Sequence, residues 1–150
     1  MSILDFDDNG YLVPYDIIEI DWTHLEEFFV FNSRRANIVI EFKKLLSEIS
    51  AIGVRRFEVW IDGSFASTKT NPNDMDLICF LDGADYQRHE ANLAVLRQNF
   101  PLLDVYFVKV YPNDDPNYFL TNFDKLDWQF FFSRDRQNRK KGILKISIEL

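Results

Sequence analysis

Trp60-Ile61-Asp62-Gly63-Ser64, nine further residues, and then Asp74-Met75-Asp76-Leu77 make up the stretch from which the rest of the chain can be read. Phe57 to Ile61 is a short aromatic and β-branched run, which predicts a strand. A strand ending in Gly-Ser predicts a sharp turn into a helix. Gly63 has no Cβ, so a phosphate can approach the backbone there. The N–H groups beyond it and the Ser64 hydroxyl can hold a triphosphate, aided by the positive end of the expected helix. Asp74 and Asp76 stand two apart at the start of a second strand, so their side chains share a face. Adjacent carboxylates repel unless a divalent cation neutralises them, and hard oxygen ligands suit Mg²⁺ (or Mn²⁺) completed by water and substrate phosphates.

Asp104 is the third carboxylate. It interrupts an apolar strand, Leu102 to Val110, where a charge needs a partner. If the second and third strands are neighbours, Asp104 reaches the same centre. Three carboxylates can hold two metals about 4 Å apart, one activating an attacking oxygen and the other steadying a leaving pyrophosphate. Each part has a plainer reading. Gly63-Ser64 alone is an ordinary turn, Asn73-Asp74 a loop end, and Asp104 a buried acid paired with an arginine. Lys69, between the motif halves, can touch a triphosphate or be a solvated loop lysine.

Together these residues resemble the signature of the DNA polymerase β-like nucleotidyltransferase superfamily. Gly63 and Ser64 match its glycine-serine element, Asp74 and Asp76 its metal-binding pair, and Asp104 its later strand carboxylate. More loosely, the chain is similar to minimal prokaryotic nucleotidyltransferase-like proteins. That similarity rests on the Gly10 turn, Asn32 followed by Arg35, Asn71-Pro72-Asn73-Asp74, and Arg134-Asp135-Arg136 before Lys141-Gly142-Ile143. The resemblance implies a mixed-sheet core with metals at one edge, and transfer of a nucleoside monophosphate from an NTP with release of pyrophosphate. It also associates such proteins with toxin–antitoxin or phage-defence modules, which is analogy rather than chemistry.

Around the motif, helix and strand alternate. The expectation is an α/β (α+β) single domain over 1–150, a mixed β-sheet flanked by helices. Residues 1–22 read as irregular, 33–110 as the motif-bearing core, and 111–150 as a C-terminal helix and strand. Thr23 and Ser33 are candidate N-caps, and Gly53 sits where a helix-ending glycine belongs. Met75 to Leu81 suits a central strand covered on both faces. Tyr86 to Phe100 and Asn117 to Phe132 read as helices, the latter with Tyr118, Phe119, Phe123, Leu126, Phe130 and Phe131 on one face. Trp128 and Phe130 to Phe132 are expected in the core rather than as a base-stacking platform. Ile143 to Ile148 closes the sheet. Cys79 is expected as a core thiol, and His24 and His89 as structural or exposed.

The chain has 150 residues and a net charge of -7, which argues against non-specific DNA binding. Its apolar stretches are too short to span a bilayer. The first residues show no signal-peptide pattern, and one cysteine excludes a disulfide framework. The expectation is a cytoplasmic protein with no membrane association. Charge is uneven. Residues 1–30 hold eight carboxylates and no Lys or Arg, while 134–145 hold Arg134, Arg136, Arg139, Lys140, Lys141 and Lys145 against Asp135 alone. Each run reads as a solvated face or, for the basic one, as a phosphate-facing patch in which Arg134 and Arg136 bind nucleotide. About 40 residues come after the third strand, too few for a large acceptor-binding domain. A minimal transferase acting on a protein, RNA or small molecule fits better than a processive polymerase or cyclic oligonucleotide synthase. The alternative is a catalytically silent nucleotide-binding or protein-interaction module, with a partner protein or a second copy.

Overall fold

The computed structural model describes residues 4–150. Five strands form a mixed sheet: β3 (Ile17–Glu19), β7 (Ile143–Glu149), β4 (Arg56–Asp62), β5 (Met75–Asp82) and β6 (Leu103–Val110), side by side in that order. β3 runs parallel to β7, β7 antiparallel to β4, β4 antiparallel to β5, and β5 parallel to β6. The result is a single-domain mixed α/β fold with four helices flanking the sheet. No helix among the described residues is long and apolar enough to cross a membrane.

Strand alternation assigns the two faces. Val59, Ile61, Leu77, Cys79, Leu81, Leu103 and Val105 meet α1 (Trp22–Phe29), α2 (Ser33–Ala51) and α3 (Gly83–Leu96) through Leu25, Phe29, Ile38, Phe42, Ile49 and Leu93. Trp60, Ile78 and Phe80 lie on the opposite face, with Phe132 and Trp128 of α4 (Tyr118–Phe132) against them. β5 is covered on both sides, which explains its unbroken apolar run. Cys79 is a buried core thiol, as expected.

Several local expectations need correcting. The N-terminal segment is not irregular. β1 (Asp5–Phe6) and β2 (Leu12–Val13) pair as a hairpin, and β3 extends the main sheet. Asp21 and Asn32 cap α1 and α2 through their side chains, in place of the predicted Thr23 and Ser33. α3 ends at Leu96 rather than Phe100. The face of α4 read as core is the outer one: Phe119, Phe123, Leu126, Phe130 and Phe131 are all more than half exposed. Thr121, Lys125, Trp128 and Phe132 turn inward instead. Thr121 accepts a hydrogen bond from the Tyr111 N–H, and Lys125 pairs with Glu58. Polar residues with specific partners under the helix thus displace aromatics to its surface.

Candidate active site

β4 and β5 pair with Asp62 opposite Asp76, and β5 and β6 with Asp76 opposite Asp104. Cross-strand partners share a face. Three carboxylates therefore form a row across three adjacent strands, on the α4 side. The next rung inward is Trp60, Ile78 and Tyr106, so the acids cap an apolar floor. Asp74, two residues before Asp76, adds a fourth carboxylate on that face by alternation. β5 and β6 are adjacent, so Asp76 and Asp104 are cross-strand neighbours, with Asp74 close enough to feel the Asp104 charge. Asp62 is an addition, legible in the sequence only as the residue preceding Gly63.

Burial and mutual repulsion dominate the electrostatics. Burial raises the Asp76 carboxyl to about 6, with Asp74 and Asp104 adding to the rise and Lys141 opposing it. Asp74 is raised by burial and by Asp104, against the pull of Arg34. Burial pushes Asp62 up to about 7 although Lys141 lies 3.2 Å from its Oδ2. The other oxygen of Asp62, Oδ1, is buried without a hydrogen-bond partner.

These are hard oxygen donors short of positive charge, so the donor set suits Mg²⁺ or Mn²⁺ in kind. Among the described residues, however, no three His, Cys, Asp or Glu side chains are gathered so as to hold a metal ion. The acids therefore form no closed cage. A site of one or two carboxylates completed by water and phosphate is the arrangement Mg²⁺ normally takes.

Gly63 has φ +76, and a Cβ there would collide with the Asp76 carboxylate. Only glycine lets the chain turn at this point with the acid beside it. The turn leads into a helix as expected, but only a four-residue 3-10 helix, Gly63–Ala66. No helix dipole is therefore aimed at the site from here. The loop is held in another way. Arg35, fully buried near the start of α2, donates to the carbonyls of Ser64, Phe65, Ser67 and Lys69, and also to that of Phe29. Its neighbour Arg34 donates to the carbonyls of Pro72 and Asn73, at 3.0 and 2.7 Å. Asn32 donates to the Thr70 carbonyl. The first turn of α2 thus grips the whole spacer between Ser64 and Asp74. Gly10 closes the other side, its carbonyl accepting from the Thr68 N–H at 3.0 Å. Lys69 is exposed on this loop.

A cleft of about 420 Å³ opens beside the acid row. Asp62, Asp76 and Lys141 line it, with Arg134 and Arg136 and the aromatic wall of Phe130, Phe131 and Phe132. Lys69 is not among its lining residues. The basic run is divided in function. Arg139 donates to Asp135 at 2.7 Å, Tyr11 donates to the same carboxylate, and the backbone N–H groups of Gln137 and Arg139 complete a turn. Despite some burial, these donors hold Asp135 well below the usual carboxylate range. Lys141 belongs to Asp62. Arg134 and Arg136 form no ion pair among the described residues, and they face the cleft.

Residues 4–147 match a Family of unknown function (DUF6932). The chain belongs to that family. No curated protein and no solved structure matches it. The DUF6932 match takes in every element that builds the site, from the Gly10 turn to Lys141.

Proposed function

We propose that this DUF6932 chain has a nucleotidyltransferase fold and is a metal-dependent nucleotidyltransferase. It would move a nucleoside monophosphate from an NTP to a hydroxyl of a protein, RNA or small-molecule acceptor, in the setting of a toxin–antitoxin or phage-defence module. The observation that carries this reading is the register that sets Asp76 beside Asp104 with Gly63 against Asp76. Mg²⁺ or Mn²⁺ held by one or two of Asp74, Asp76 and Asp104, and completed by water and the triphosphate, would supply charge neutralisation and a more acidic attacking hydroxyl.

The chain's own residues divide the remaining work. The Gly63-Ser64 turn would meet the triphosphate through its N–H groups and the Ser64 hydroxyl, and Arg134 and Arg136, which line the cleft, offer planar, paired donors to phosphate oxygens. The acceptor oxygen attacks the α-phosphorus and the bond from that phosphorus to the bridging oxygen breaks. Pyrophosphate leaves, and the acceptor proton passes to Asp104, which stands at the opposite end of the strand row from Asp62 and its Lys141 partner.

The second reading, a silent nucleotide-binding or protein-interaction module, is favoured by one observation: the carboxylates are not gathered into a metal cage among the described residues. Incubation with Mg²⁺ or Mn²⁺ and α-labelled NTPs separates the two. Label transfer or pyrophosphate release that Asp76→Asn abolishes supports catalysis. Nucleotide binding with neither product supports the silent module.

A further inference from the structure

Asp62 presents an anomaly that the transfer reaction does not use. Its carboxylate is 3% exposed, Oδ2 is paired with Lys141 at 3.2 Å, the adjacent Gly63 N–H helps to favour its charged form, and Oδ1 has no well-aligned hydrogen bond among the described residues. Buried polar atoms are almost always satisfied, and an orphan calls for an explanation such as an ion. Asp62 also lies directly across the strand pair from Asp76, on the same face, and both line the cleft beside Gly63.

Resting on the nucleotidyltransferase reading, we propose that Asp62 and Asp76 together form a divalent-cation site, with Asp62 Oδ1 as a ligand outside the Asp74, Asp76 and Asp104 set, and that Lys141 is the internal cation competing for it. Three features fit this assignment. A carboxylate oxygen without a well-aligned donor lies ready for a cation. The Lys141 ammonium is largely buried beside the same group, its charge neutralising Asp62 where solvent cannot. A site of two carboxylates completed by water and phosphate is ordinary for Mg²⁺. In this arrangement the metal and Lys141 draw on one carboxylate. Metal entry weakens the ion pair and leaves the ammonium free to meet a phosphate oxygen.

Opposite signs in two variants test the proposal. Mn²⁺ alone is titrated into wild type, Asp62→Asn, Lys141→Met and Asp76→Asn, with bound metal counted by electron paramagnetic resonance and folding checked by circular dichroism. Asp62→Asn should lower Mn²⁺ affinity by about tenfold or more, the scale of losing a metal-site residue. Lys141→Met should raise affinity by about fivefold, because a like charge a few ångströms from the ion opposes it. A purely structural ion pair predicts that both variants lose affinity together, or that neither changes, and either result overturns the proposal. If Asp62→Asn does not fold, the sign of the Lys141→Met effect decides. Binding that Asp76→Asn abolishes and Asp62→Asn leaves intact overturns this proposal while sparing the transferase reading. Wild type that binds no Mn²⁺ overturns both.

Discussion

Gly63 and Asp76 share one space: the position of a β-carbon on residue 63 is occupied by the Asp76 carboxylate. Gly63→Ala should therefore disturb the acid row and strain a left-handed backbone at once. The expected cost is about 1–3 kcal/mol of stability, measured as a shift in the urea midpoint. Any metal-dependent gain in melting temperature should shrink with it. A Gly63→Ala protein with unchanged midpoint and unchanged metal response would remove the glycine from the site.

Metal with nucleotide should stabilise the fold, because a ligand that binds only the native state shifts the equilibrium towards it. Millimolar Mg²⁺ or Mn²⁺ with an NTP should raise the melting temperature of wild type and leave Asp76→Asn unmoved. Without metal, Asp76→Asn should be the more stable protein at pH 8, by about 1 kcal/mol or more, since it removes a repelled, half-buried charge. No shift in wild type would count against the whole metal reading.

Burial of the acids, with their mutual repulsion adding to it, sets a pH dependence for the metal-free protein. Asp62 and Asp76 are raised to about 7 and about 6 from 3.8. Between those limits the folded chain keeps protons that the unfolded chain has released, so stability falls as pH rises from about 4 to about 7. Asp135, shifted the other way, loses its contribution only on acidification below about pH 4. Unfolding free energies from urea titrations at pH 5 and pH 8 should differ by roughly a few kcal/mol, the higher value at pH 5. Asp62→Asn should remove much of that difference. A stability that climbs from pH 5 to pH 8 would contradict the assignment.

Arg35 should be a keystone of the spacer loop. Arg35→Met leaves at least four buried or half-buried carbonyls without their donor. A loss of about 3 kcal/mol or more is expected, at about 1–3 for each unsatisfied buried group with partial relaxation. Hydrogen exchange should show faster opening over residues 64–73 than over β5. Uniform behaviour across the two segments would argue that the loop is held by something else.

The basic run should separate into two phenotypes. Arg134→Ala with Arg136→Ala should weaken nucleotide or RNA binding and flatten its salt dependence, with little change in stability, because fewer phosphate contacts release fewer counterions. Arg139→Ala should instead destabilise the Asp135 turn and leave the salt slope alone. Identical effects from both substitutions would mean that the run acts as one solvated face.

Three kinds of feature are legible in linear order. Asp74 and Asp76 can be placed on one face because strand geometry repeats every two residues. β4, β5, β6 and β7 coincide with the apolar runs that predict them, and Gly53 takes the positive φ expected after α2. Gly63 reads as a turn because no other residue suits the conformation. These are local constraints, set by periodicity and backbone sterics, and they survive whatever the chain packs against.

The rest depends on partners far along the chain. Asp62 joins the acid row only because β4 pairs with β5 in a register that places it opposite Asp76, and register is a relation between two strands. Arg35 reads as one polar residue on an amphipathic helix until folding brings the carbonyls of residues 64–69 over it. α4 misleads because periodicity marks an apolar stripe without saying which side meets the sheet. Thr121 and Lys125 find partners beneath it, and Phe130 and Phe131 are left beside the cleft. The chemistry of the acids is thus written in residue types and short spacings. Which acids stand together, and which cations face them, is settled by pairing energies between segments that no local pattern records.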